Sequence, residues 1–238
     1  MKIILLGYGK MGKAIEELAV KAGDEIVLKI DSKNRNGLHA GILQLADVVI
    51  EFTRPESAFE NVMACIEAGV PVVCGTTGWL DRLEEAVAFA NEKDGALMVA
   101  SNFSIGVNLF FALNRRLAAL MDQQPQYDLH IEETHHIQKL DTPSGTAITL
   151  ANEILANMER KSSWTKNTPS LPSELEVISH RIAAAPGTHE VIYHSPVDTI
   201  TIRHEAHSRE GFAAGALQAA RWIVDKKGYF EMKDMLGF

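Results

Sequence analysis

Cysteine, positive charge and long apolar runs are all scarce in this 238-residue sequence. With only Cys65 and Cys74, the chain can build neither a disulfide framework nor a cysteine-rich metal site. No apolar run approaches the roughly 18 residues of a membrane-spanning helix, and the apolar stretch after Met1 is too short for a secretory signal. These features predict a cytoplasmic protein with reduced cysteines and no membrane partner.

Basic residues are outnumbered by acidic ones. The sequence has 23 Lys and Arg against 31 Asp and Glu, which gives a formal net charge of −8 at pH 7. A chain that coats nucleic acid needs the opposite sign. Because its hydrophobic content of 46% is that of an ordinary globular domain, we expect a folded protein whose partner is a small molecule and not a nucleic acid.

The N-terminal part alternates two kinds of segment. Short β-branched runs lie at 2–6, 25–30, 47–52, 70–74 and 96–100, and segments with apolar residues three or four positions apart lie at 13–22, 56–68 and 80–91. This alternation is typical of a parallel sheet with crossover helices. It predicts an α/β, Rossmann-like domain.

The pattern changes after Asn102. A helix is predicted at 107–121, strands at 127–134, 175–182, 188–194 and 197–204, and a polar loop at 161–174. Since the last three strands leave no room for helices between them, we predict an α+β domain with a mostly antiparallel sheet. A last helix at 211–225 has an apolar stripe that can cover the first domain. The expected domains are therefore 1–103 with 209–238, and 104–208.

A glycine-rich turn follows the first predicted strand. Gly7, Gly9 and Gly12, with Lys10 and Met11 before the last glycine, fit G-x-G-x-x-G. The first glycine makes the tight turn, the second lets the backbone approach a pyrophosphate, and the third allows close packing of helix on strand. The free N–H groups of the helix start then face the anion. The motif predicts dinucleotide binding, and the alternative is a tight turn without a ligand.

Asp31 closes the second predicted strand, at about the 20-residue spacing at which an acidic group accepts the ribose hydroxyls of NAD. Lys33 and Arg35 follow it, and with Lys10 they are cations that could hold the 2′-phosphate of NADP. The two basic residues after Asp31 could equally be solvated loop charges. We expect both NADH and NADPH to bind.

A helix is predicted to begin near Ser144. Ser144, Gly145 and Thr146 offer backbone N–H groups and two hydroxyls, and Gly145 permits close approach. Such a helix start suits a substrate carboxylate. Ser144 is also expected to cap the helix.

Lys139, His135 and His136 bring proton donors to the loop before this helix. The two histidines are adjacent, so on an extended chain they point to opposite sides and cannot readily chelate one ion. We therefore predict no metal site.

The pattern from His135 to Thr146, H-H-x-x-K-x-D-x-P-S-G-T, resembles the signature of the 4-hydroxy-tetrahydrodipicolinate (dihydrodipicolinate) reductases of lysine and diaminopimelate synthesis. Three more segments resemble that family in the same order: E-F-T-R-P at 51–55, C-G-T-T-G at 74–78 and A-S-N-F-S at 100–104. Glu51 stands where the family usually has Asp, Ser101 replaces the usual Pro, and the glycine loop is more compact than in many members.

The resemblance implies a homotetramer built through the second-domain sheets, and NADPH or NADH delivering hydride to C4 of a cyclic dicarboxylate with loss of its hydroxyl as water. It implies that His135 and Lys139 are the catalytic pair and that His136 joins the carboxylate site at 144–146. Arg209 then binds a second carboxylate or closes the site, or it is a surface arginine. The residues implied to line the cofactor are Phe52, Thr53, Gly75, Thr76, Thr77, Ser101, Asn102 and Phe103.

Two other functions compete with this one. The first is a different two-domain dehydrogenase, acting on an amino acid or diaminopimelate, which shares the first domain but lacks the His-His to Ser-Gly-Thr segment. The second is a non-catalytic NAD(P)-sensing protein, which an intact His135 and Lys139 disfavour.

Overall fold

The computed structural model describes residues 1–31, 39–183, 185–208 and 210–238. Within these ranges no helix has the length and apolar character needed to cross a bilayer. The chain divides into two compact units, Met1–Ile105 with Glu210–Phe238, and Gly106–Arg209.

The described residues form strands and helices with the following bounds. The strands are β1 (Lys2–Leu6), β2 (Glu25–Ile30), β3 (Val48–Glu51), β4 (Val72–Cys74), β5 (Ala96–Val99), β6 (Asp128–His135), β7 (Ser163–Thr165), β8 (Glu174–Arg181), β9 (Thr188–His194), β10 (Thr199–Glu205) and β11 (Gly228–Phe230). The helices are α1 (Lys10–Lys21), α2 (Ala40–Leu43), α3 (Pro55–Glu67), α4 (Leu83–Glu92), α5 (Ile105–Met121), α6 (Gly145–Asn157), α7 (Glu210–Ile223) and α8 (Met232–Leu236).

The first unit is built on a parallel sheet in the order β11-β5-β4-β3-β1-β2. Alternate residues of β1 are buried in two separate hydrophobic clusters. Ile4 packs with apolar residues of α3 and α4, whereas Ile3 packs with residues of α1 and α7. The predicted Rossmann-like sheet is confirmed. In such sheets a ligand binds beyond the carboxyl ends of the strands where the strand order reverses, which here is the ends of β1 and β3.

The second unit has a mixed sheet in the order β10-β9-β6-β8-β7. Strand β6 pairs with β9 in the antiparallel sense but with β8 in the parallel sense, and β7 pairs with β8 in parallel. The prediction of a mostly antiparallel sheet is therefore wrong. The reason is that α6 lies between β6 and β8 in the chain and serves as a crossover helix, which returns the chain in the same direction.

One face of this second sheet is apolar. Leu129, Ile131, Val177 and Val191 are buried there together with residues of α5 and α6, among them Phe110. The predicted polar loop at 161–174 contains β7, and its first residue, Lys161, is buried with its Nζ bonded to Asp128 and to two carbonyl oxygens.

Candidate functional site

The glycine turn after β1 is shaped by close backbone packing. Gly7 has φ +93°, and a Cβ built there would lie 2.0 Å from the carbonyl oxygen of Phe52; a Cβ on Gly12 would lie 2.3 Å from the carbonyl oxygen of Gly7. A Cβ on Gly9, by contrast, meets nothing within 4 Å. Gly7 and Gly12 are thus required by the fold, whereas Gly9 leaves open space at the start of α1.

The start of α1 fits an anion. Gly9 is the N-cap and has no side-chain oxygen to bond the first N–H groups of the helix, and Lys10 is exposed beside it. The turn therefore fits the pyrophosphate of a dinucleotide. Tyr8 of this turn was not predicted to have a role. Its hydroxyl donates a hydrogen bond to Glu16 of α1, which also forms an ion pair with Lys29 at 2.9 Å, and these contacts hold the turn against the helix.

The residues predicted to distinguish NADH from NADPH, and Arg209, lie only partly within the described residues. Asp31 follows β2 directly and is exposed. Lys33, Arg35 and Arg209 lie outside the described residues, so the structure says nothing of their placement.

The loops after β3 and β4 meet around a buried carboxylate, that of Glu51. This side chain accepts hydrogen bonds from the backbone N–H of Thr53 at 3.1 Å, from Nδ2 of Asn61 at 3.3 Å and from Sγ of Cys74 at 3.2 Å, and it has a short contact with the Thr53 hydroxyl. Burial and the Glu51 charge raise the pKa of the Cys74 thiol well above its usual range. Cys74 is thus an un-ionised donor to Glu51 and not a nucleophile.

Most of the residues expected to line the cofactor meet here. The Thr53 N–H also donates to Oγ1 of Thr76 at 2.8 Å, and a Cβ on Gly75 would lie 2.1 Å from the Phe52 ring. Phe52 packs against buried Phe103, with ring centroids 5.8 Å apart. Thr77 and Ser101 are exposed, and Asn102 accepts the N–H of Ser104.

In the second unit, a polar cluster occupies one end of the sheet face that is otherwise apolar. Along β6 the residues that point inward are Leu129, Ile131, Glu133 and His135. The strand register sets Ser179 and His189 on either side of Glu133, and sets Arg181 beside His135. Sequence reasoning missed Glu133, Ser179, Arg181 and His189. A charged residue at an inward position of an alternating strand was the available signal.

Glu133 is fully buried and ionised. Its carboxylate accepts the backbone N–H of Ser144 at 3.1 Å on both oxygens and the hydroxyl of Ser179 at 2.7 Å. Burial alone would raise the pKa of this carboxyl, but hydrogen bonds from His189, Ser144 and Ser179 outweigh it and hold the pKa far below the usual range.

His135 is held as a neutral imidazole. Its ring packs edge-on against His189, with centroids 4.9 Å apart, and a Cβ on Gly187 would lie 3.3 Å from its Nε2. Burial and the neighbouring His189 lower the pKa of His135 to about 4, although Glu133 lies 3.4 Å from its Nδ1. At neutral pH this uncharged ring can donate or accept a hydrogen bond and so polarise a neighbour.

His136 and Lys139 lie on the turn beyond β6. The backbone N–H of Lys139 donates to the carbonyl of His136 at 3.0 Å, and the Lys139 ammonium pairs with Asp141 at 2.8 Å. That ammonium lowers the pKa of the Asp141 carboxyl and is also among the charges that lower the pKa of His135. His136 is half-buried.

At the start of α6, the polar groups of Ser144 are hydrogen-bonded within the protein, whereas Gly145 is exposed. Ser144 is the N-cap, as predicted, and its Oγ accepts the N–H of Ala147 at 3.2 Å and lies 3.0 Å from Nε2 of His189. Because Ser144 is buried and its N–H is bonded to Glu133, its polar groups are used within the protein. Gly145 is exposed, and a Cβ there meets nothing within 4 Å. The open part of the helix start is therefore at Gly145 and the partly exposed Thr146.

Glu133, His135 and His189 also have the composition of a metal site, since one donor atom from each lies within 4.8 Å of the others. Both carboxylate oxygens of Glu133 are already hydrogen-bonded, and the guanidinium of Arg181 lies 3.3 Å from one of them. A cation there would be repelled by Arg181, so the arrangement favours a hydrogen-bonded network.

Comparison with known proteins places the whole chain in one family. The family model described as "Dihydrodipicolinate reductase, N-terminus" matches residues 1–103, and "Dihydrodipicolinate reductase, C-terminus" matches residues 106–236. A 4-hydroxy-tetrahydrodipicolinate reductase of Christiangramia forsetii is 46% identical over 99% of this chain and 98% of its own length. One of Neisseria meningitidis is 32% identical over 100% and 97%.

Solved structures agree on the fold. A dipicolinate-bound dihydrodipicolinate reductase from Paenisporosarcina sp. TG-14 has a TM-score of 0.79 at 24% identity and covers 99% of both chains. An aspartate dehydrogenase from Thermotoga maritima reaches a TM-score of only 0.51 at 14% identity, covering 97% of this chain and 99% of its own, and so shares the general fold alone. Since the two family models together match residues 1–103 and 106–236, the chain belongs to the dihydrodipicolinate reductase family.

Proposed function

We propose that this protein reduces 4-hydroxy-tetrahydrodipicolinate to tetrahydrodipicolinate with NADH or NADPH and releases water, a step of lysine and diaminopimelate synthesis. The observation that carries the proposal is the segment from His135 to Thr146, in which a neutral imidazole, an ammonium and an open helix start follow one another in a chain of this family. An amino-acid dehydrogenase shares only the fold.

The dinucleotide is held by the first unit. The N–H groups at the start of α1, beside Gly9, Lys10 and Met11, face the pyrophosphate, and Asp31 accepts ribose hydroxyls. Bound reduced nicotinamide supplies the hydride. Residues of the loops after β3, β4 and β5 line it: Phe52, Thr53, Gly75, Thr76, Thr77, Ser101, Asn102 and Phe103. From the sequence pattern alone, Lys33 is our proposed partner for the 2′-phosphate of NADPH.

The substrate is held by the second unit. One ring carboxylate sits on the N–H groups of Gly145 and Thr146, where the helix dipole favours an anion by roughly 0.3–1 kcal/mol before specific hydrogen bonds are counted. His136 adds a donor to that carboxylate, and Ser144 supports the turn through its hydrogen bonds within the protein. From the family resemblance alone, Arg209 is our proposed partner for the second carboxylate.

The proton comes from Lys139. Once the 4-hydroxyl has left as water, hydride at C4 places negative charge on the conjugated ring nitrogen system. The ammonium of Lys139 stabilises that charge and neutralises it with a proton. His135, neutral and buried, polarises the same system.

The exposed face of the second sheet is where we place the tetramer contacts. Strand β10 is exposed along most of its length, including Ile200, while the opposite sheet face is covered by α5 and α6. A homotetramer assembled there, working in the cytoplasm, completes the proposal. Sedimentation velocity measures the assembly.

Activity is tested by following NADPH absorbance with freshly prepared condensation product of pyruvate and aspartate semialdehyde, with mass analysis of the product. NADPH oxidation that depends on this substrate and yields tetrahydrodipicolinate supports the proposal. Tight NADPH binding without turnover would instead indicate a sensing protein.

A further inference from the structure

We propose that Arg181 and Glu133 are positioning residues that hold the residues from Lys139 to Ser144 in the geometry the reaction needs. The inference rests on the proposed function, because it concerns how the proposed proton donor and the carboxylate-binding helix start are kept at a fixed spacing. Neither residue belongs to the H-H-x-x-K-x-D-x-P-S-G-T pattern.

Arg181 donates hydrogen bonds directly to the loop formed by residues 139–144. It is the last residue of β8 and lies beside His135 in the parallel pairing. Its Nη2 donates to the carbonyl oxygen of Asp141 and to Oγ1 of Thr142, both at 2.8 Å, and its Nε donates to the carbonyl oxygen of Lys139 at 3.4 Å. One planar guanidinium therefore bonds three residues of the loop.

Glu133 anchors that guanidinium and the other end of the loop. Its Oε1 lies 3.3 Å from Nη2 of Arg181, and both of its oxygens accept the N–H of Ser144. The hydroxyl of Ser179 adds a third donor at 2.7 Å. The carboxylate thus connects the residue that holds Lys139 with the first residue of the carboxylate-binding turn.

The loop depends on these polar contacts because it has little packing of its own. Leu140 is 95% exposed, Asp141 and Thr142 are exposed as well, and between Leu140 and Ser144 Pro143 is the one buried residue. A segment with few buried apolar contacts keeps one conformation only where hydrogen bonds hold it. The network of Arg181 and Glu133 supplies them.

The expected consequence is kinetic. A misplacement of reacting groups by about 1 Å can cost about 10²-fold in rate. Arg181→Ala should therefore lower kcat about 10²-fold and weaken substrate binding. Arg181→Lys should restore little of this, because an ammonium keeps the charge but lacks the planar set of directed donors.

The test compares Arg181→Ala, Arg181→Lys and Glu133→Gln with the parent protein. Steady-state kinetics give kcat and KM, and fluorescence titration gives the affinity for NADPH. Calorimetry gives the affinity for dipicolinate, a planar dicarboxylate that mimics the ring of the substrate and is not turned over. Arg115→Ala is the matched control, since it removes another arginine of the second unit, paired with Glu153 at 2.6 Å. We expect lower kcat and weaker dipicolinate binding in the three test variants, unchanged NADPH affinity, and near-parental kcat in the control.

Guanidinium ion, added well below denaturing concentrations, separates positioning from stability. It should recover part of the kcat of Arg181→Ala and none of any loss in Arg115→Ala. The inference is overturned if folded Arg181→Ala keeps parental kcat and dipicolinate affinity, or if its losses merely follow its stability and guanidinium restores nothing. If Arg181→Ala does not fold, Arg181→Lys and Glu133→Gln decide by the same measurements. A parent protein that fails to turn over, while Arg181→Ala still loses dipicolinate affinity, would refute the proposed function and leave the positioning role supported.

Discussion

The hydroxyl oxygen of Ser144 lies 3.0 Å from Nε2 of His189 while it accepts the N–H of Ala147. This contact joins Ser144, the N-cap of α6, to strand β9, which pairs with β6 in the sheet. Ser144 is therefore both a helix cap and a link between the helix and the polar cluster around Glu133.

Removing that hydroxyl should weaken the fold measurably. An N-cap serine replaced by alanine typically costs about 0.5–2 kcal/mol. We expect Ser144→Ala to lower the free energy of unfolding, measured in urea, by about that amount. Thr149→Ala is the control, because its hydroxyl donates to the Gly145 carbonyl within the same helix but caps nothing. Equal losses in the two variants would refute the capping role.

The two later glycines of the turn should respond differently to a side chain. A Cβ on Gly9 enters open space, so Gly9→Ala should fold normally and lose about tenfold in NADPH affinity, because the methyl group takes the space that we propose for the pyrophosphate. Gly12→Val collides with the Gly7 carbonyl and should lose both stability and cofactor binding. Calorimetry and thermal melts measure the two effects. Parental NADPH affinity in Gly9→Ala would place the pyrophosphate elsewhere.

Acid should destabilise the protein through His135. Its pKa is about 4 in the folded protein, against about 6.5 for a free imidazole. Between these values the unfolded chain binds a proton that the folded protein does not, so the stabilising difference is fully present above pH 6.5 and is lost as the pH falls toward 4.

The size of this effect is the difference between the pH dependence of the unfolding free energy of the parent and that of His135→Gln. Lowering the pH from 7 to 5 should cost the parent about 2 kcal/mol more of unfolding free energy than it costs His135→Gln. Urea unfolding of both proteins at both pH values provides the comparison, in which the contributions of histidines that do not contact His135 cancel. Parallel pH dependences would show that His135 titrates normally.

Local patterns predicted most of the fold. β-branched runs and helical spacing located β1 to β5 and the helices α1, α3 and α4, because burial on a parallel sheet imposes strong periodicity, whereas the four-residue helix α2 was not predicted. The second sheet was predicted less well, since the direction of β8 depends on how α6 crosses over and no local signal encodes that. The short strands β7 and β11 are three residues each and show no periodicity.

The residues of the candidate site could be named from the sequence where they form a contiguous motif, and not where they come together through pairing between strands. His135, Lys139 and Ser144 lie within ten residues of one another, so the sequence shows them together. Arg181 and His189 reach the same cluster only through the register of β8 and β9 with β6. That register is a tertiary property, which explains why both were missed.

Lys139 provides the sharpest test of the proposed chemistry. Loss of one general acid typically costs about 10²- to 10⁴-fold in rate, so Lys139→Ala should lower kcat by that order. NADPH affinity should stay near the parental value, because the dinucleotide is bound by residues of the first unit. Lys139→Arg keeps a positive charge but holds its proton too tightly to donate it, so it should retain dipicolinate affinity and remain slow. A change confined to KM in Lys139→Ala would indicate that Lys139 only binds substrate. Parental kcat in Lys139→Arg would show that charge, and not proton transfer, is what this residue contributes.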